Sequence, residues 1–119
     1  MATQSIVGDK SLAFAKRIAK CYRYLKDKKK ETVISKQLLR CGTSIGANER
    51  EGLYVQSRKD FISKLNIALK EAGETDYWLE VIHTADYFTD DEYKSLKEDN
   101  DELLKLLTSI IKTTKENDC

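Results

Sequence analysis

Residues 37–52, which read QLLRCGTSIGANEREG, are the stretch that decides how this chain folds. The spacing of its apolar and small residues predicts one helix that packs a single face against its neighbours. The residues suited to a buried face recur in alternating steps of three and four, at Leu38, Cys41, Ile45, Asn48 and Gly52.

Gly42 and Gly46 lie in the middle of this predicted helix. They are four residues apart and therefore fall close to one face. A glycine inside a helix costs about 1 kcal/mol relative to alanine, so it needs another reason to be there. We predict that a second helix approaches this face closely.

Three other segments have the same helical periodicity. The clearest is the third, where apolar or small residues keep alternating steps of four and three from Phe61 to Ile82. Residues 1–8 have no periodicity and are expected to precede the first helix. The four predicted helices span about residues 9–28, 33–55, 58–86 and 90–114.

Capping residues mark the predicted helix starts. Asp9 and Thr32 are suitable N-caps for the first and second helices. Ser57, with an acidic residue three positions later, resembles a capping box before the third helix. Thr89 is followed by three acidic residues, of which Glu92 can bond back to the cap, and this is the clearest start signal in the chain.

The composition fits one helical domain. A chain of 119 residues with 40 % apolar and 34 % charged residues is large enough for its own core. The absence of proline favours long helices joined by short turns. We predict an all-α, antiparallel, up-and-down four-helix bundle over residues 1–119. With no long apolar run and no secretory signal, we expect a cytoplasmic protein with no membrane partner.

No group of residues predicts catalysis or metal binding. Cys21 and Cys41 lie in apolar stripes and are expected to be reduced core residues, without the short spacing of a zinc site. Glu80 and His83 form half of a di-metal motif whose other half needs a second histidine, which the chain lacks. We therefore expect no enzyme activity, cofactor, metal or small-molecule substrate.

Charge is divided unevenly along the chain, although the net charge is only +1. Residues 1–60 carry fourteen Lys and Arg against six Asp and Glu, whereas residues 61–119 carry seven against fourteen. Two interpretations remain open. The basic helices pack beside acidic ones so that the charges cancel, or part of the basic half stays free for an acidic partner such as nucleic acid.

A polar set lies on the second and third predicted helices. Its members either pair between helices or subunits, which would fix their packing, or belong to a ligand or nucleic-acid site. Trp78, beside the buried-face residue Leu79, is expected on a flank of the bundle. The set consists of Arg40, Ser44, Asn48 and Glu51 on the second helix and Lys64, Glu71, Glu74 and Tyr77 on the third.

Residues 37–82 resemble the bacterial four-helix-bundle proteins encoded in 23S rRNA intervening sequences, also called S23 ribosomal proteins. The resemblance rests on residues 37–52 and on SRKDFISKLNIALKEAGETDYWLEVI, residues 57–82. It implies a bundle that assembles into a homopentameric ring. It also implies kinship with the accessory protein of diversity-generating retroelements, a basic pentameric barrel that binds nucleic acid and a reverse transcriptase. The matching residues are Arg40, Ser44, Ile45, Asn48, Glu51, Asp60, Phe61, Lys64, Ala68, Glu71, Glu74, Thr75, Tyr77 and Trp78.

We therefore predict a non-enzymatic, oligomeric protein that associates with RNA or with a nucleic-acid-processing protein. The alternative is a scaffold for protein–protein contacts that binds no nucleic acid. Cations spaced i, i+4, i+7 on one outer face of the first helix continue into the basic run at its end. The predicted phosphate-contacting residues are Lys16, Lys20, Arg23, Lys26, Lys28, Lys29 and Lys30.

Overall fold

A computed structural model describes the backbone of residues 2–117 and the side chains of residues 6–117. This part of the chain consists of four helices and their connections, with no strand. The predicted all-α four-helix bundle is confirmed. The helices are α1 (Ala2–Asp27), α2 (Val33–Gly52), α3 (Arg58–Thr84) and α4 (Asp90–Glu116).

The four helices stand side by side in a rod that measures 50 × 22 × 20 Å. Both α1 and α3 pack against α2 and α4, so α1 lies diagonally opposite α3. Neighbouring helices are antiparallel. Along α1 and α4, for example, Lys10 pairs with Glu102 whereas Arg17, further along α1, pairs with Asp99.

The first helix begins at Ala2, well before the predicted start at Asp9. Asp9 is an exposed residue inside α1 and not its N-cap. Val7 is 1 % exposed and continues the buried face of Ser11 and Phe14 in steps of four and three. The predicted start was wrong because Gly8 and Ser11 interrupt the apolar pattern, although they are small enough for a closely packed face.

The start of α2 is capped by Glu31 and not by the predicted Thr32, whose side chain makes no capping hydrogen bond. The Glu31 carboxylate accepts hydrogen bonds at 2.8–3.1 Å from three amides, those of Val33, Ile34 and Ser35. Burial raises the pKa of Glu31, but these hydrogen bonds outweigh it and hold the pKa below its usual value. The prediction was wrong because a carboxylate one residue earlier reaches three unpaired amides, whereas a hydroxyl accepts from one.

The starts of α3 and α4 follow the predicted signals. The Ser57 hydroxyl accepts a hydrogen bond from the amide of Asp60 at 3.1 Å. Thr89 and Glu92 form the complete capping box, in which each side chain bonds the other residue's amide. These bonds satisfy amides that have no partner inside the helix.

Two helices end earlier than predicted. The second ends at Gly52 and not at Val55, and the third ends at Thr84 and not at Asp86. The backbone of Asp86 has a φ of 66°, which is outside the right-handed helical region. The fourth helix runs two residues beyond the predicted Thr114, to Glu116.

Gly42 and Gly46 of α2 face α1. A Cβ atom on Gly42 would lie 3.0 Å from both Cγ1 and Cγ2 of Ile18, and one on Gly46 would lie 3.0 Å from Oγ of Ser11. The predicted close approach of a second helix is confirmed. Larger residues fill the rest of the core, among which Leu38, Leu65, Leu79, Leu103 and Leu107 are at most 1 % exposed.

Candidate functional site

The basic residues predicted to contact phosphate form the α1 basic surface: Lys16, Lys20, Arg23, Lys26, Lys28, Lys29 and Lys30. All seven side chains are exposed. Arg23 approaches Asp27 of the same helix at 3.7 Å, and the Lys29 ammonium lies 6.0 Å from the centre of the Tyr24 ring. The other five have no ion pair with any residue that the structure describes.

A different side of α1 is neutralised by α4. Lys10 pairs with Glu102 at 3.1 Å, and Arg17 pairs with Asp99 at 2.8 Å. Arg17 also donates a hydrogen bond to Oγ of Ser95 at 2.6 Å. Among the described cations of α1, the acidic second half of the chain therefore pairs with Lys10 and Arg17, and the α1 basic surface stays open to solvent.

The predicted polar set forms a network where α2 meets α3. Arg40 pairs with Glu74 and, at 3.5 Å, with Glu71. The indole of Trp78 donates a hydrogen bond to the Glu74 carboxylate at 3.1 Å. Tyr77 packs edge-to-face against Trp78 with ring centres 5.0 Å apart, and it is 59 % exposed. This network leaves a large aromatic ring on the surface of α3.

The other members of the polar set divide into two kinds. Lys64 on α3 pairs with Glu51 on α2 at 2.8 Å, which is a second link between the two helices. Ser44 and Asn48 instead bond within α2: the Ser44 hydroxyl donates to the carbonyl of Arg40 at 2.6 Å, and the Asn48 amide to that of Ser44 at 2.8 Å. Neither side chain hydrogen-bonds α3.

Sequence reasoning missed Glu49, which is the buried charged residue of α2. It is 3 % exposed, and its carboxylate has no hydrogen bond or ion pair with a described residue. Burial raises its pKa, an effect that the nearby Arg50 opposes. The spacing was a possible signal. Between Ile45 and Gly52, a helical stripe can pass through Glu49, in steps of four and three, as well as through Asn48, in steps of three and four.

The residues considered for metal binding have other contacts. The His83 ring stacks on Tyr93 with centres 4.1 Å apart, and Nε2 lies 2.7 Å from Oδ1 of Asp90. Within residues 6–117, no three His, Cys, Asp or Glu side chains come together as metal ligands. Cys21 and Cys41 are free thiols. Burial raises the pKa of Cys21 to about 11; the negative charge of Glu92 also raises this pKa, whereas the positive charge of Arg17 lowers it.

These features define an antiparallel four-helix bundle with a basic first helix and a polar network between its second and third helices. Residues 3–109 match the family of 23S rRNA-intervening sequence proteins. The chain belongs to this family, as the resemblance of residues 37–82 predicted. None of the helices in the described part of the chain has the length and apolar character needed to cross a membrane.

A solved structure agrees with this assignment. The chain is similar to a protein of unknown function from the S23 ribosomal protein family of Bacteroides thetaiotaomicron, whose crystal structure was determined at 1.70 Å resolution. The two chains are 56 % identical, and the TM-score is 0.91 over 92 % of this chain and 98 % of that one. No curated protein matches the chain.

Proposed function

We propose that this protein is a non-enzymatic, oligomeric binding protein whose α1 basic surface contacts the phosphates of RNA. The observation that carries the proposal is the difference between the two sides of α1. Lys10 and Arg17 pair with acids of α4, whereas Lys16 and Lys20 have no acidic partner among the described residues. Such unpaired cations can bind a polyanion without first breaking an ion pair.

The spacing of the cations suits a chain of phosphates. Lys16, Lys20 and Arg23 share one face of α1 and cover roughly 10 Å along the helix axis. Lys28, Lys29 and Lys30 continue the positive charge into the connection to α2. The bases need not be read, because phosphate contacts carry affinity but no sequence information.

A salt-dependent titration tests RNA binding. We expect the anisotropy of a fluorescently labelled single-stranded RNA to rise on addition of the protein at about 50 mM salt and the affinity to fall steeply by about 200 mM, because phosphate contacts release counterions. The double substitution Lys16→Gln, Lys20→Gln should lower affinity and reduce the salt slope by about 1.4, or about 0.7 for each lost phosphate contact.

Two lysines of α3 provide the matched control. Lys59 and Lys70 are exposed, and Lys59→Gln with Lys70→Gln removes the same charge from another side of the bundle. This control should bind RNA almost as the parent does. Equal losses in both double variants would mean that only net charge matters, and no binding at low salt would exclude RNA as the partner.

Exposed apolar residues support the oligomeric part of the proposal. Val33, Leu53, Tyr54 and Tyr77 are each more than half exposed, at 74 %, 54 %, 82 % and 59 %. Tyrosine is enriched at surfaces that meet another protein, and Tyr54 and Tyr77 are of this type. We expect native mass spectrometry to find five copies, the number that the family resemblance implies, and a monomer would contradict this part of the proposal.

The second candidate is a protein–protein scaffold without nucleic acid, and the surface ring of Tyr77 favours it. Tyrosine and tryptophan side by side beside an arginine, as at Tyr77, Trp78 and Arg40, are the residue types that dominate binding energy at protein interfaces. An affinity purification that returns one stoichiometric protein and no nucleic acid would favour this candidate over RNA binding.

A further inference from the structure

A groove of about 520 Å³ lies between the first half of α1 and the second half of α2. It is open because the residues along its floor are small. Gly8 and Ala15 come from α1, and Gly46 and Ala47 come from α2. Leu12 and Tyr54, which are 38 % and 82 % exposed, form part of its rim. The groove is separate from the α1 basic surface, and the one member of the polar set that lines it is Glu51.

The buried carboxylate of Glu49 also lines this groove. A carboxylate is an acceptor with about four lone-pair positions, and none of those of Glu49 is used by a described residue. A buried charge without donors is more costly than the same charge paired with a cation. Glu49 is therefore the group that a bound ligand would satisfy.

We propose that the groove binds an aliphatic primary ammonium group, with its charge on Glu49 and its carbon chain along Leu12, Ala15 and Ala47. An ammonium supplies three donors from a compact centre, and its chain suits the apolar walls. The groove is lined by two acidic residues, Glu49 and Glu51, and one basic residue, Arg50, and this balance of charge disfavours an anion. No three His, Cys, Asp or Glu side chains come together among the described residues, which disfavours a metal ion.

The position of α1 distinguishes an ammonium from a guanidinium. A Cβ on Gly8 would lie 3.4 Å from Oε1 and 3.7 Å from Oε2 of Glu49, so both oxygens lie against the α1 backbone. A guanidinium binds best with two parallel hydrogen bonds to the two oxygens. One side of the carboxylate is therefore occupied by α1, and a compact ammonium needs only one oxygen on the open side, whereas a guanidinium needs both.

Small amines test the proposal directly on the intact protein. Amide spectra recorded by TROSY during titration with butane-1,4-diamine or butylamine should show saturable shifts at Gly8, Gly46, Ala47 and Tyr54. Butan-1-ol and butyrate have similar chains without the cation and should shift these amides much less. Equal binding of butan-1-ol would mean that the groove recognises only the alkyl chain, and absence of binding by every amine would overturn the proposal.

Substitutions identify the carboxylate. Glu49→Gln keeps the shape and removes the charge, and we expect it to weaken butane-1,4-diamine at least about tenfold, since pairing of a buried charge is lost. Ala47→Leu should block the groove, whereas the same change at Ala19, which is exposed on α1 and outside the groove, should leave affinity unchanged. Unchanged affinity in Glu49→Gln would contradict the assignment.

The same titration separates two sources of the ammonium. A free diamine and the side chain of a lysine present the same group on the same kind of chain. If the groove takes free polyamines, butane-1,4-diamine should bind more tightly than Nα-acetyl-lysine amide. If it takes the lysine of a polypeptide, the lysine amide should bind at least as well. Either result supports an ammonium site, and failure of RNA binding would not affect it.

Discussion

The contact between α1 and α2 and the contact between α3 and α4 are built in different ways. The first depends on small residues, since Gly42 and Gly46 let the backbone of α2 approach Ile18 and Ser11 of α1. Leucine and isoleucine make up most of the buried face of α4, and α3 adds Leu65, Leu79 and Ile82 to it beside smaller residues. Backbone proximity joins the first pair, whereas large side chains fill the core beside the second.

Each pair also contains one incompletely satisfied buried polar group, and its setting differs. Glu49 lines the open groove between α1 and α2. Asn100, fully buried on α4, donates to the carbonyl of Ala72 on α3 at 2.9 Å, while its Oδ1 has no hydrogen-bond partner in the described part of the chain. A carboxylate without a hydrogen-bond donor beside an open groove suggests that it binds a ligand. An amide oxygen without a donor in a closed core is more easily explained if the amide fixes the register of two helices.

The largest expected effect is the loss of a core leucine from the second pair. Leu107→Ala should lower the free energy of unfolding by about 2–5 kcal/mol, because it removes buried apolar contacts and leaves a cavity. Leu12→Ala, in the exposed rim of the groove between α1 and α2, should cost much less. Urea denaturation of the two variants measures both, and similar losses would contradict the distinction between a closed core and an open groove.

A bulky residue should be most damaging where the backbones are closest. Gly42→Val should destabilise the protein by about 1–3 kcal/mol, because the new side chain meets Ile18 already at its Cβ. Gly73→Ala on α3 is the matched test, since nothing lies within 4 Å of a Cβ there. That change should stabilise by up to about 1 kcal/mol through helix propensity. A stabilising Gly42→Val would show that α1 can move away from α2 without cost.

Periodicity was sufficient to predict the number of helices, their order and much of the core. It predicted the α1–α2 approach from Gly42 and Gly46 because glycine inside a helix has a cost that only packing explains. It failed at the start of α1, because the buried face there uses Ser11, whose hydroxyl bonds the carbonyl of Gly8 at 3.1 Å. Where two helices pack this closely, the small size of a side chain marks the buried face better than its apolar character does.

The candidate sites were less predictable, because they depend on which charges meet in space. The sequence gives no means to see that α4 neutralises Arg17 and leaves Lys16 exposed one residue earlier. Glu49 lies between Asn48 and Arg50 in a polar run that is typical of a solvated face. Glu49 is buried because α1 lies over it. The periodicity of α2 alone carries no information about where α1 packs.

The cap of α2 allows a third test. Glu31→Ala should destabilise by about 0.5–2 kcal/mol, as expected for loss of an N-cap, whereas Thr32→Ala should be nearly neutral. The pKa of Glu31 is lowered below 4.5 in the folded protein, so its ionised form stabilises the fold above that pH. This stabilisation is lost as the pH falls through the folded pKa. A larger effect of Thr32→Ala would restore the hydroxyl cap that the sequence predicted.

The smallest expected effect separates the two buried polar groups. Burial raises the pKa of Glu49 above 4.5, so the folded state binds a proton more tightly than the unfolded state, and stability falls as the pH rises from 4.5 through the raised pKa. Glu49→Gln should therefore be the more stable protein above that window, by about 1 kcal/mol. Asn100→Leu should change stability by no more than about 1 kcal/mol and equally at every pH, because no ionisable group is removed. Thermal unfolding of both variants across this pH range measures the difference. If Glu49→Gln shows no pH dependence relative to the parent, the carboxylate already has a donor in solution, and the contrast between Glu49 and Asn100 is wrong.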